Sequence, residues 1–265
     1  MSVTLIISYY KALKNLKLIM KALSNQSYKD FELIISEDDR NEETLRFVQE
    51  NRRNYFFDII HLHQKEDTGF RKNSMLNRSV LQAAGERLIF IDGDCVPHKH
   101  FVKEYAKRIK EGFCYSGRAV MLDEQTTQKA LKEESLEEFN FLKLLRTKSK
   151  KLKDGIYFPW FSLSHKARGL VGRNWGILKT HLIEINGFDE DYVLAGAGED
   201  TDVEWRLRGL GIKLKSMKNR AFVYHLYHKR WYSEKDVATN FKMLRKKQES
   251  ENYRCLNGMD VYDLK

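Results

Sequence analysis

The chain is poor in the residues that mark several protein classes. Its three cysteines, Cys95, Cys114 and Cys255, stand far apart among 265 residues and form no C-x-x-C pair, which excludes a disulfide framework and a zinc ribbon. They suit a reducing compartment, so the expected location is cytoplasmic. Only two prolines, Pro97 and Pro159, interrupt the chain, and nothing reads as a linker or an internal repeat. No run approaches the ~18 apolar residues needed to span a bilayer. The first apolar run, Val3 to Ile7, is too short for a signal-peptide core and follows no positive leader. The segment after it, SYYKALKN, contains no glycine. That counts against a nucleotidyltransferase, which would carry a Gly-rich phosphate loop there.

What is present describes a globular α/β protein. Hydrophobic residues make up 42 % of the chain, enough for a real core and against disorder. The net charge is +10, which suits nucleic acid, an anionic membrane surface or an anionic small molecule, and charge alone does not choose. The cations gather in two places, Lys143 to Lys153 and the last helical pattern with Lys242, Arg245, Lys246 and Lys247. Both also read as solvated helix faces.

Short apolar runs alternate with amphipathic stretches through the first half. Strands are expected at Val3-Ile7, Phe31-Ile35, Phe56-His61 and Arg87-Ile91, with helices at Ala12-Leu23, Glu43-Asn51 and Ser74-Ala84. This alternation predicts βαβ units and a Rossmann-like, mostly parallel central sheet flanked by helices. Ligands of such sheets bind beyond the carboxyl ends of the strands. In the second half, a long charged helix is expected over Thr126 to Leu145, a mobile basic and aromatic loop over Arg146 to His165, a strand over Gly169-Leu178, a helix over Asp202-Arg208 and a strand over Ala221-Tyr224.

Acidic residues fall where the strands end. The run Arg87-Ile91 leads into Asp92-Gly93-Asp94. Residues two apart in extended chain share a side, so both carboxylates can meet one ligand while Gly93 lets backbone approach it. Two hard carboxylates suit Mg²⁺ or Mn²⁺ bound with a diphosphate; a polar turn is the plainer reading. Glu37, Asp38 and Asp39 end the second strand, where a carboxylate can accept from a base N–H or a ribose hydroxyl, or cap the next helix. Glu199 and Asp200 open a helix in which Thr201 and Glu204 have capping-box spacing; either acid could serve as a general base. His225 and His228 follow a short strand in VYHLYH. They read as structural histidines or, beside a DxD, as further ligands of a metal.

In order and spacing these segments resemble the inverting family-2 glycosyltransferases, which have the GT-A fold. The resemblance is carried by VTLIISYY, ELIISEDDRNEET, GFRKNSMLNRSVLQAAGERLIFIDGDCVP, RNWGILKTHLIEINGFDEDY, GEDTDVEWRLRGLG and VYHLYH, which span most of residues 3 to 228. The last resembles the branch of β-1,4-galactosyltransferases and bacterial chondroitin-type polymerases. The resemblance implies a UDP-sugar donor held by Ser8, Tyr10, Asp38, Asn77, Asp92 and Gly93, with Asp38 at the uracil. It implies a metal, Mn²⁺ or Mg²⁺, on Asp94 with His225 or His228, Asp200 as general base, and Glu199 binding the acceptor or assisting. It divides a single domain into a nucleotide-sugar half (1–95), an acceptor half (96–232) and a C-terminal helical extension (233–265). The acceptor would be a glycan or lipid-linked glycan of bacterial surface polysaccharide, with peripheral contact to an anionic membrane. Two departures stand out: Glu37 replaces the family's usual Asp, and Ala195-Gly196-Ala197-Gly198 lacks the branch's Gly-Trp-Gly tryptophan. Acceptor contacts are therefore expected around Trp160, Trp175 and Gly196, with Trp160 the substitute platform. A nucleotidyltransferase and a non-catalytic nucleic-acid binder are the rival readings. The first would carry the missing Gly-rich loop, the second would not need the DxD, the acidic pair and the histidines in this order, and no nucleic acid is expected.

Overall fold

A computed structural model describes residues 2–160, 167–230 and 232–262. In chain order the elements are β1 (Val3–Tyr9), α1 (Leu13–Ser24), β2 (Glu32–Glu37), α2 (Glu42–Asn51), β3 (Ile59–His63), α3 (Lys72–Gln82), β4 (Arg87–Asp92), β5 (Cys95–Pro97), α4 (Phe101–Arg108), β6 (Phe113–Ser116) and β7 (Arg118–Met121). They continue with α5 (Glu124–Glu133), α6 (Phe141–Leu144), β8 (Asn174–Leu178), α7 (Lys179–Glu184), α8 (Glu199–Gly209), β9 (Lys213–Ser216), β10 (Phe222–His225) and α9 (Glu234–Glu249). The main sheet has the order β3-β2-β1-β4-β8-β6-β9, and β5-β10-β7 form a second, smaller sheet.

The first four strands are parallel, as their composition dictates. Leu5, Ile6 and Ile7 are all fully buried, so both faces of β1 are covered, and a continuous apolar run suits that position better than alternation does. Helix α1 covers one face by burying Leu16, Ile19, Met20 and Leu23, which recur at helical spacing. On the far side of β4 the direction changes: β8 and then β6 pair antiparallel. The mostly parallel α/β architecture expected from the sequence is present.

Several elements differ from expectation. The helix expected over Thr126 to Leu145 is broken. Helix α5 ends at Glu133, the next residue Glu134 adopts φ 44°, a short turn follows, and α6 restarts behind Asn140, whose side chain accepts from Leu142 N. The break lets Phe139 stack on Tyr224 at 4.8 Å. The Gly169-Leu178 strand shortens to β8, because Gly169 O and Leu170 N bond instead to Ser116 Oγ and the Glu204 carboxylate. That use of Glu204 also rules out the Thr201–Glu204 capping box; Gly198, at φ +121°, takes the N-cap position instead. The loop expected from Arg146 is tied down, with Lys150 and Met121 exchanging backbone hydrogen bonds and Phe158 N donating to Asn219 O. Residues 161–166, with Phe161 and His165 of that expectation, lie outside the described residues. No helix among the described residues is long and apolar enough to cross a membrane.

Candidate active site

The parallel strands place their carboxyl ends together. Ser8 of β1 pairs with Asp92 of β4, and Tyr9 with Glu37 of β2. Above them opens a cleft of about 640 Å³ lined by Ser8, Tyr10, Asp38, Asp92, Gly93, Asp94 and His228, among others. That is the size of a small-ligand site. Gly93 N donates to Ser8 O at 2.6 Å. A Cβ on Gly93 would come within 3.1 Å of that oxygen and 3.2 Å of Tyr9 Cα, so a larger residue would crowd this approach.

Three side chains converge at the cleft's edge. His225 ends β10 and pairs with Cys95 of β5, while Leu226 N donates to Asp94 O. This clamp brings Asp94 Oδ2 to 3.0 Å from His228 Nε2 and 3.5 Å from His225 Nε2. His228 Nδ1 lies 2.9 Å from Lys229 O, a bond that aims Nε2 at the carboxylate, as outer-shell carbonyls do for metal-binding histidines. Cys95 Sγ donates to the other oxygen, Asp94 Oδ1, at 3.1 Å. Burial works against the Asp94 carboxylate, yet the His228 hydrogen bond and the His225 charge hold its carboxyl at about 2. Burial pushes the His225 imidazole down, toward the neutral form that ligates metals. A carboxylate oxygen with two imidazole nitrogens within 3.5 Å of it, and the Cys95 thiol alongside, offers donors for a divalent cation.

A second acidic group lines a small adjoining pocket that shares Ser8, Lys72 and Asp92 with the cleft. Glu199 and Asp200 occupy the first turn of α8. Asp200 Oδ2 accepts from Gly172 N at 3.1 Å and Oδ1 from Thr201 N at 2.8 Å, which fixes its orientation. Glu199 Oε2 is buried without a hydrogen-bond partner, and burial raises its carboxyl above the usual range. Between the two groups stands Lys72, with Nζ 2.9 Å from Asp92 Oδ1 and 3.9 Å from Glu199 Oε1. Burial opposes its charge, but the surrounding Asp92 and Glu199 prevail and raise its pKa.

Lys72 carried no role in the sequence reading, although a signal was there. Arg71 and Lys72 begin α3 with no acid in the first turn, against the usual preference for negative charge at a helix N-terminus. Asp38 supplies it from just beyond β2. Both its oxygens accept from Arg71 N, at 2.9 and 3.1 Å, and burial pushes its carboxyl up to about 6. Of its neighbours, Glu37 is turned inward onto His61 at 2.7 Å, and Asp39 faces Lys11 at 3.7 Å.

Two expected contacts are corrected. Asn77 does not face the donor cleft. It is fully buried, donates to Phe188 O and Glu190, and accepts from Phe188 N, so it braces α3 against the loop before α8. Trp175 cannot offer a platform to an acceptor, being 1 % exposed and stacked on Phe90 at 4.3 Å. Gly196 is half-buried in a loop whose Ala195 lines the cleft; a Cβ there would meet the Tyr232 ring at 2.8 Å, and Asn240 of α9 holds the loop by donating to Leu194 O and Ala197 O. The C-terminal helix is thus packed onto the site's border. Trp160 is 75 % exposed and packs edge-on against Phe158, which excludes a core role for it.

The glycosyl transferase family 2 profile matches residues 4–176, and the profile for the N-terminal domain of galactosyltransferase matches residues 156–229. No curated protein matches the chain significantly. Among solved structures, S. aureus TarS superposes with a TM-score of 0.64 at 17 % identity, over 93 % of this chain and 39 % of that one. GalNAc-T7 with UDP, GalNAc and Mn²⁺ gives 0.63 at 12 % identity, over 92 % and 47 %. The mannosyltransferase PcManGT from Pyrobaculum calidifontis, in complex with GDP-Man and Mn²⁺, gives 0.58 at 15 % identity, over 94 % and 64 %. At these identities the likeness is one of fold, and this chain spans only part of each of those three proteins.

Proposed function

The chain belongs to glycosyl transferase family 2, and on that premise we propose that it is an inverting, metal-dependent enzyme moving a hexose or N-acetylhexosamine from a UDP-sugar to a glycan hydroxyl. The observation that carries this reading is the meeting of Asp94, His225 and His228 at the edge of the cleft that begins at Ser8 and Asp92. TarS has been crystallised with UDP and with UDP-GlcNAc, which supports a uridine nucleotide; GalNAc-T7 and PcManGT were crystallised with Mn²⁺, which supports the metal.

The residues divide the work by position. Ser8, Tyr10 and Asp38 hold the nucleoside, and Asp92, steered by Lys72, meets the ribose or donor sugar. Asp94, His225 and His228 would hold the divalent cation, which when bound neutralises charge on the departing diphosphate. Asp200 takes the proton of the acceptor hydroxyl, and Glu199 orients that acceptor. One displacement from the face opposite the leaving group inverts the anomeric centre, so an α-linked UDP-sugar gives a β-linkage. The acceptor is a glycan or lipid-linked glycan of a bacterial surface polysaccharide, with exposed Trp160 as a stacking surface. Residues 1–95 serve the donor and 96–232 the acceptor, while the C-terminal helix buttresses the site. A panel of UDP-sugars assayed for UDP release tests the reading: turnover with none of them, with or without acceptor glycans, contradicts it.

A further inference from the structure

We propose that the segment Phe141–Lys153 docks on an anionic lipid bilayer and holds the active site at the membrane surface. Two features coincide there. Six cations, Lys143, Arg146, Lys148, Lys150, Lys151 and Lys153, stand within thirteen residues that contain no acid, and all six are exposed. Lys143 is paired with Glu138 at 3.0 Å; among the described residues no ion pair engages the other five. Beside them, Leu142 is 71 % exposed, Leu145 56 % and Phe141 39 %. Leu142 and Leu145 are three residues apart, so they lie on one side of the helical turn, while buried Leu144 anchors it from below.

A solvated helix face explains the lysines but not the leucines. A phosphate-backbone contact needs cations and gains nothing from exposed leucine. An apolar edge ringed by unpaired cations is the pattern that inserts into the headgroup layer of an anionic membrane. Place in the fold strengthens the argument. Lys150 and Met121 exchange backbone hydrogen bonds at 2.9 and 2.7 Å, and Met121 pairs with His225 across β7 and β10. The basic segment therefore lies two strand spacings, about 10 Å, from a histidine of the candidate metal site. Docking through it would bring that edge of the site close to the lipid headgroups, where a lipid-linked acceptor presents its glycan. Only this last consequence rests on the glycosyl-transfer reading; the docking does not.

The test is co-sedimentation of the full chain with phosphatidylcholine vesicles, either pure or containing about one third phosphatidylglycerol. UDP-sugar hydrolysis without vesicles is followed in parallel, so failure of the docking is separable from failure of the enzyme reading. The expected result is binding to the anionic vesicles only, weakened by salt. The variant Lys148→Glu/Lys150→Glu/Lys151→Glu should lose about 10-fold or more of it. Leu142→Ser/Leu145→Ser should also lose binding, with melting temperature and hydrolysis unchanged in both. Absence of binding to anionic vesicles, or retention of binding by both variants, overturns the proposal. So does duplex DNA binding as tightly as the vesicles and indifferent to the leucine variant, which would mark a general polyanion site.

Discussion

The ammonium of Lys72 stands 2.9 Å from Oδ1 of Asp92. This joins the first residue of α3 to the last residue of β4 and sets one half-buried cation between the donor-side acid and Glu199. Replacing Lys72 by Met leaves those carboxylates unopposed near an anionic donor. UDP affinity and transfer should each fall about 10-fold or more, since unpairing a buried charge is costly. Lys72→Arg should recover part of both. Calorimetry with UDP and a UDP-release assay read the two quantities, and unchanged affinity in Lys72→Met would remove Lys72 from the donor site.

Cys95 should act through Asp94. Its thiol donates to Oδ1 and so leaves Oδ2 facing the histidines. Serine keeps a donor and valine does not, so Cys95→Val should weaken Mn²⁺ binding by about 10-fold, the usual scale for an outer-shell partner, and Cys95→Ser should weaken it less. Electron paramagnetic resonance titration of Mn²⁺ in the presence of UDP measures this. A sulfur charge-transfer band in the Co²⁺-loaded protein would instead make Cys95 a direct ligand.

Asp200 and Glu199 should separate kinetically. Asp200→Asn preserves shape but removes the proton acceptor, so transfer should drop about 10²-fold or more while UDP affinity holds. Glu199→Gln should raise the acceptor KM. Loss of UDP affinity together with activity in Asp200→Asn would make it a donor residue rather than the base.

Asp38 gives a pH signature in stability. Burial lifts its carboxyl to about 6 in the folded chain, against about 3.9 when unfolded. A raised carboxyl stabilises the fold fully below the unfolded value, and that contribution is lost as pH rises through about 6. The difference of about two units corresponds to roughly 3 kcal/mol. Asp38→Asn does not titrate, so its stability relative to wild type should improve by up to that amount between about pH 4 and pH 7. Urea melts across this range check it; a constant gap would mean that Asp38 is not strained by burial.

The half of the chain that positions the donor was legible, because doubly buried parallel strands write continuous apolar runs such as Val3-Ile7 and Arg87-Ile91, and the acids follow directly. The second half was less so. Its strands are three to five residues long, and their pairing depends on distant partners, as β5 on β10. Asn140 was a readable cap inside a stretch taken as one helix. Trp175 and Asn77 show a different limit: residue type does not say whether a side chain turns to the cleft or to the core, and stacking on Phe90 and bonding to Phe188 decided that. Lys72 broke a helix-end rule, and its reason lay on strands far away in sequence.

The central claim is that a cation held by Asp94, His225 and His228 supports transfer from a UDP-sugar. The most direct test is UDP release from a panel of UDP-sugars, with Mn²⁺ and with EDTA, by wild type, Asp94→Asn and His225→Ala/His228→Ala. The expected result is turnover of at least one donor by wild type, abolished by EDTA, restored by added Mn²⁺ and absent in both variants, with melting temperatures near wild type. Turnover that persists in EDTA and in both variants would contradict the account.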